Sequence, residues 1–165
     1  MMADLPVYVL ERDFDAPRDL VWRTWTEAEL LVRWYGPNVE TVIHKLDVRP
    51  GGQWLNEMKM GDRSNYQRMD YIEVDAPERL VGLMANTDAG WNIAADPMMP
   101  DWPRVLLTDV SFAETAGKTK MRLVWSPHEA SEKEIVCFAA AMDGLGKGWG
   151  MGMEMLEQLL AEMQN

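Results

Sequence analysis

The chain has 165 residues, 47% of them hydrophobic and 26% charged, which suits one globular domain spanning 1–165. A formal net charge of −11 excludes the clustered basic surface that nucleic acid or an anionic membrane would demand. The lone Cys137 leaves no internal disulfide. "MMADLPVYVLERDF" lacks a signal-type start, and no run nears the ~20 apolar residues that cross a bilayer, so a cytoplasmic protein is expected.

In "PVYVLERDF", Tyr8, Leu10 and Phe14 share one parity, which predicts a strand. "DAPRDLVWRTWT" predicts a helix, with Asp15 as a cap, Pro17 in the first turn and Leu20, Val21 and Trp25 at helical spacing. "EAELLVRWYGP" predicts a second short helix ended by Gly36 and Pro37. Strands dominate the middle. Val42, His44, Leu46 and Val48 alternate, as do Trp54, Asn56, Met58 and Met60. Two strands follow around the turn "DAPE". Leu106, Thr108, Val110 and Phe112 then form a hairpin through "AGK" with Met121, Leu123 and Trp125. Short turns between successive strands imply antiparallel pairing. Residues 86–103 form a long loop whose Trp91, Met98, Met99 and Trp102 suit packing on a partner subunit or at a pocket mouth.

The last third reads as one long helix. Ser131 and Glu134 form a capping box. Ile135, Phe138, Met142, Leu145, Trp149, Met153, Leu156, Leu160 and Met163 make one apolar stripe. Within it, "DGLGKGWGMGMEM" places glycine at 144, 146, 148, 150 and 152. Phosphate-binding motifs fail on spacing: Ala141 stands where GxxxxGK[ST] needs its first glycine, and Trp149 where GxGxxG needs its third. Five helical glycines cost roughly 4–5 kcal/mol relative to alanine. Close approach of another backbone, a kink, or room for a ligand would each offset that cost.

Chemistry-bearing clusters are sparse. His44 and His128 lack metal-ligand spacing, there is no GxSxG, and Cys137 sits in an apolar run without an evident base, which reads as buried structure. No cofactor is expected. His44, on an apolar parity, reads as half-buried and hydrogen-bonded. By the same parity argument Glu57, Glu73 and Asp109 face solvent, while Asp70 keeps step with Ile72 and Val74 and so faces inward. The 14 Met and 8 Trp fit either an irregular core or an adaptable cavity wall.

"FDAPRDLVWRTWTEAELLVRWYGP", "LDVRPGGQW", "DYIEVDAPERLV", "LTDVSFAE" and "GKGWGMGMEMLEQLL" run in order over roughly residues 7–162. Together they resemble the activator of heat-shock-protein-90 ATPase homologue-like branch of the START-like (SRPBCC) superfamily. Two departures stand out: Trp34-Tyr35 replaces a double Trp, and the loop at 86–103 is longer. The resemblance implies an α+β helix-grip fold, a curved antiparallel sheet of about six or seven strands wrapped around the terminal helix, with two short helices after the first strand. It also implies an apolar cavity for lipid- or polyketide-like molecules. Some members cyclise polyketides, and eukaryotic relatives stimulate a chaperone ATPase.

On the apolar parities and the helix stripe, the expected cavity wall is Trp34, Trp54, Met58, Met69, Tyr71, Met84, Trp125, Trp149 and Met153. The expected partner is a hydrophobic or aromatic small molecule. A cyclase or aromatase drawing on Asp70, Tyr71 or His44 is the alternative. A homodimer or a chaperone partner using the loop at 86–103 is a third reading.

Overall fold

The computed structural model describes residues 5–165. Strand β1 (Tyr8–Phe14) leads into helices α1 (Arg18–Thr26) and α2 (Ala28–Leu31). Six strands follow: β2 (Glu40–Leu46), β3 (Gln53–Met60), β4 (Arg63–Asp75), β5 (Arg79–Thr87), β6 (Val105–Thr115) and β7 (Lys118–Pro127). Helix α3 (Glu132–Met163) closes the chain. The seven strands form one curved antiparallel sheet in the order β1-β7-β6-β5-β4-β3-β2, so the expected helix-grip architecture is present.

Alternation of side chains sets which face is buried. On β6, Leu106, Thr108, Val110 and Phe112 all point inward, and the expected hairpin register with Trp125, Leu123 and Met121 holds. Two bulges interrupt the alternation elsewhere. Between Tyr71 and Glu73 the register of β4 against β5 shifts by one residue. Met69 and Tyr71 before the bulge and Val74 after it all reach the core, while Ile72 is exposed. Asp70 therefore lies on the outer face, contrary to the parity reading. A second shift, between Ile43 and Lys45, turns both Ile43 and Leu46 inward and leaves His44 exposed rather than half-buried.

The helices are positioned by different means. The N-cap of α1 is Pro17 with no side-chain cap, so Asp15 does not take that role. The Arg18 backbone N–H donates instead to Glu114 Oε1 at 2.8 Å, from the far end of the β6–β7 hairpin. Helix α2 is a single turn, shorter than its sequence pattern suggests. Trp34 lies just beyond it, buried, its indole N–H donating to the Thr24 carbonyl at 2.9 Å.

Helix α3 runs unbroken for 32 residues, about 48 Å at 1.5 Å per residue, from the expected Ser131–Glu134 capping box. Its ends are anchored: Phe138 is buried near the start, and Met153, Leu156, Leu159 and Leu160 near the finish. Between them, from 139 to 151, no residue is fully buried. Cys137, expected inside, is partly exposed.

The loop at 86–103 packs in two places. Trp91 sits on the outer face of the sheet, edge-on to His44 and Tyr66 at 5.4 Å from each ring. Trp102 tilts against Phe138 at 5.5 Å. Met98 and Met99, grouped with these tryptophans in the sequence, are exposed.

Candidate functional site

The helical glycines leave open space. A Cβ added at Gly144, Gly148 or Gly150 would meet nothing within 4 Å, and at Gly146 only the Tyr8 hydroxyl at 3.9 Å. At Gly152 it would lie 3.6 Å from the Trp34 carbonyl oxygen. Both distances are ordinary for a methyl group, so close approach of a neighbour demands glycine at none of the five positions. Gly144, Gly148 and Gly152, four residues apart on one face, line a pocket of about 380 Å³ between mid-α3, the turn after α2 and the end of β3.

Its wall is aromatic and apolar: Trp34, Tyr35, Pro37, Met58, Trp125, Leu145 and Trp149. Trp149, the bulky residue among the glycines, is held by neighbours on several sides. Its ring lies 5.2 Å from Trp125 and 6.4 Å from Tyr35, both edge-on, and stacks on Trp25 at 6.5 Å. Behind this layer Tyr35 meets Trp54 at 4.8 Å, and Trp34 meets Trp25 at 4.8 Å. Offset and edge-on aromatic pairs add roughly 0.5–1.5 kcal/mol each beyond burial, so this wall resists collapse into the pocket.

Of the nine residues expected to form a cavity wall, Trp34, Met58, Trp125 and Trp149 line this pocket. Trp54, Met69, Tyr71, Met84 and Met153 belong to the buried core. Tyr35, Gly36, Pro37, Leu145 and Met151 also line it and were not foreseen. The signal for Tyr35 was its place next to Trp34 in a turn ending at Gly36, whose φ of +78° only glycine adopts readily. Burial pushes the Tyr35 phenol well above its ordinary range, and burial together with the nearby Tyr35 does the same for Tyr71. Both therefore remain neutral hydrogen-bonding groups near pH 7.

Of the titratable groups singled out in the sequence, Tyr71 is buried in the core, whereas His44, Glu57, Asp70 and Asp109 lie on the opposite face of the sheet. His44 Nε2 is 2.8 Å from Glu57 Oε1, and Ser64 donates to Glu57 Oε2 at 2.6 Å. The Glu57 side chain is 12% exposed, so it is far more sheltered than its parity suggested. The Ser64 hydroxyl and then His44 hold its carboxyl below the ordinary glutamate range. Asp70 accepts from Arg68 at 2.9 Å and from Gln53 at 2.8 Å. Asp109 pairs with Arg79 at 2.7 Å. Among the described residues no group of three or more His, Cys, Asp or Glu is placed to hold a metal ion. No helix among them is long and apolar enough to cross a membrane.

Solved structures share this architecture. A Mycobacterium smegmatis protein superposes with a TM-score of 0.76 at 22% identity, covering 96% of each chain. A Staphylococcus epidermidis protein gives 0.77 at 22% identity, covering 98% of this chain and 93% of its own. A Nitrosomonas europaea protein gives 0.72 at 24%, covering 99% of each. At these identities the likeness speaks for the fold alone. No curated protein matches the chain. The family model described as "Activator of Hsp90 ATPase homolog 1-like protein" matches residues 15–161, which spans both short helices, the sheet from β2 onward and nearly all of α3, and the chain belongs to that family.

Proposed function

We propose that the chain binds a hydrophobic, aromatic small molecule in the pocket beside mid-α3, with Trp34, Met58, Trp125 and Trp149 as its contact wall. Trp54, Met69, Tyr71, Met84 and Met153 support that wall from the core. One observation carries the reading: Gly144 and Gly148 face about 380 Å³ of space bounded by tryptophans, where side chains would otherwise stand. Sites for small molecules are concave and mostly apolar, with volumes of roughly 300–1,000 Å³. Retaining glycines there at about 0.8–1.0 kcal/mol each makes sense if the space is used. A cyclase-type reaction would need polar groups converging on the pocket; of the three candidates His44 and Asp70 stand on the outer face, and Tyr71 is buried in the core outside the pocket lining.

Titration of intrinsic tryptophan fluorescence with fatty acids, flavonoids and polyketides tests the proposal. Saturable quenching is expected, weakened at least tenfold in Gly148→Leu, whose side chain would occupy the pocket. A flat response across all three classes, or quenching indifferent to Gly148→Leu, would overturn it.

A further inference from the structure

The concave face of the sheet, largely apolar, carries one band of carboxamides. On β3, Trp54, Asn56 and Met58 share that face, and Asn56 is 1% exposed. Gln67 on β4 stands directly opposite Asn56, and Asn86 on β5 directly opposite Gln67. Three adjacent strands thus carry a row of carboxamides at one level of the sheet. Tyr35, a pocket-wall residue, donates its hydroxyl to Gln67 Oε1 at 3.1 Å and so joins that row to the pocket. Met58, another wall residue, lies two positions along from Asn56, about 7 Å.

Both polar atoms of the Asn56 amide, Nδ2 and Oδ1, are buried and have no hydrogen-bond partner among the described residues. Buried amides are nearly always paired, because an unpaired donor and acceptor in an apolar interior lose their water without compensation. Leucine has the same branching and the same number of side-chain heavy atoms and would avoid the cost. An asparagine kept at this place, beside a pocket and behind one flexible methionine, has the donor–acceptor pattern of a recognition group.

We infer that Asn56 is a specificity-determining residue for the ligand, and that the ligand is a planar aromatic molecule carrying a hydrogen-bond donor and acceptor on adjacent atoms, as in a lactam or aromatic amide. This rests on the pocket reading above. The aromatic body lies against Trp125 and Trp149, and the Met58 side chain rotates aside to admit the polar edge. That edge pairs with Asn56 as one amide pairs with another, its N–H donating to Oδ1 and its carbonyl accepting from Nδ2. A carboxylate is disfavoured, since it lacks the donor and would bring a charge among apolar groups.

The test compares 2-quinolone, a fused aromatic lactam, with naphthalene, its apolar counterpart, in the wild type and in Asn56→Leu. The ratio of their dissociation constants is expected to change about tenfold towards naphthalene in the variant, the size of one net hydrogen-bond pair. The wild type supplies a second readout that needs no variant: the Asn56 side-chain amide resonances shift with 2-quinolone and not with naphthalene. An unchanged ratio, or Asn56 resonances indifferent to 2-quinolone, overturns the inference while leaving the pocket in place if naphthalene binds. Failure of both probes to bind the wild type overturns the inference and removes its support in the pocket reading.

Discussion

Trp149 meets Trp125 edge-on with ring centroids 5.2 Å apart, and this contact ties the least buried stretch of α3 to the sheet. With glycine at 148 and 150 on either side, Trp149 packs against the core, as Met142 and Leu145 do earlier in the helix. The ends of α3 are held by Phe138 and by the Met153–Leu160 segment, so its middle can forgo packing without losing its place. Trp149, the largest side chain among the glycines, reaches the core and leaves its flank open.

Gly148→Ala should therefore stabilise the fold. The new Cβ meets nothing within 4 Å, so helix propensity acts alone. A gain of about 0.8–1.0 kcal/mol is expected, or a rise in Tm of roughly 2–4 °C. Thermal denaturation followed by circular dichroism measures it. A loss of stability would mean that the space beside Gly148 is occupied.

Gly82→Ala should act in the opposite direction. Gly82 lies on the concave face of β5, where a Cβ would come within 2.6 Å of Met69 Sδ and 2.7 Å of the Asp70 carbonyl oxygen. The sulfur can move, whereas the strand backbone cannot move without disturbing its ladder. Overpacking of this kind costs about 1–3 kcal/mol, read as a lower midpoint in urea with an unchanged slope. An unaltered midpoint would show that β4 yields at Asp70.

The two glycine sites mark how far the sequence could be read. The succession of elements along the chain, the hairpin at 116–118 and the capping box on α3 were legible because each depends on local periodicity or turn chemistry. The purpose of the glycine run was not, since close packing and open space demand the same missing side chains. The wall was legible in part. Trp34 and Trp125 were identifiable by type, but Trp54 and Met84 share an inward parity with Met58 and only the placement of α3 separates core from pocket. Asp70 was misread because the bulge after Tyr71 inserts one residue, a feature that leaves no mark in composition. Asn56 was visible as a polar residue within an apolar alternation, yet its alignment with Gln67 and Asn86 required the register.

Glu57 gives the outer face an acid sensitivity. Its carboxyl is held below the ordinary value of 4.5 by the Ser64 hydroxyl and then by His44, so the folded state favours the ionised form. A group whose folded value is depressed contributes stability above the unfolded value and loses it as pH falls through the folded one. Urea midpoints of the wild type should exceed those of Glu57→Gln at pH 7, and the two should converge as pH falls through the depressed value. A gap that persists unchanged into acid would show that charge is not the source.

Glu134 joins two elements through one carboxylate. Its Oε1 accepts from the Ser131 backbone N–H at 3.1 Å in the capping box, and its Oε2 accepts from the Arg104 backbone N–H at 2.8 Å, where the loop at 86–103 returns to β6. Burial alone would raise this carboxyl, but the N–H donors of Arg104 and Ser131 outweigh it and the net direction is down. The stabilisation is therefore present at neutral pH and lost as pH falls through the depressed value. Ser131→Ala removes the reciprocal cap alone and should cost about 1 kcal/mol while leaving Arg104 protected from amide exchange. Glu134→Ala removes both bonds, so exchange at Arg104 should accelerate and the Trp102–Phe138 contact beside it should loosen. Equal exchange at Arg104 in the two variants would show that the loop is held by Trp102 packing rather than by the carboxylate.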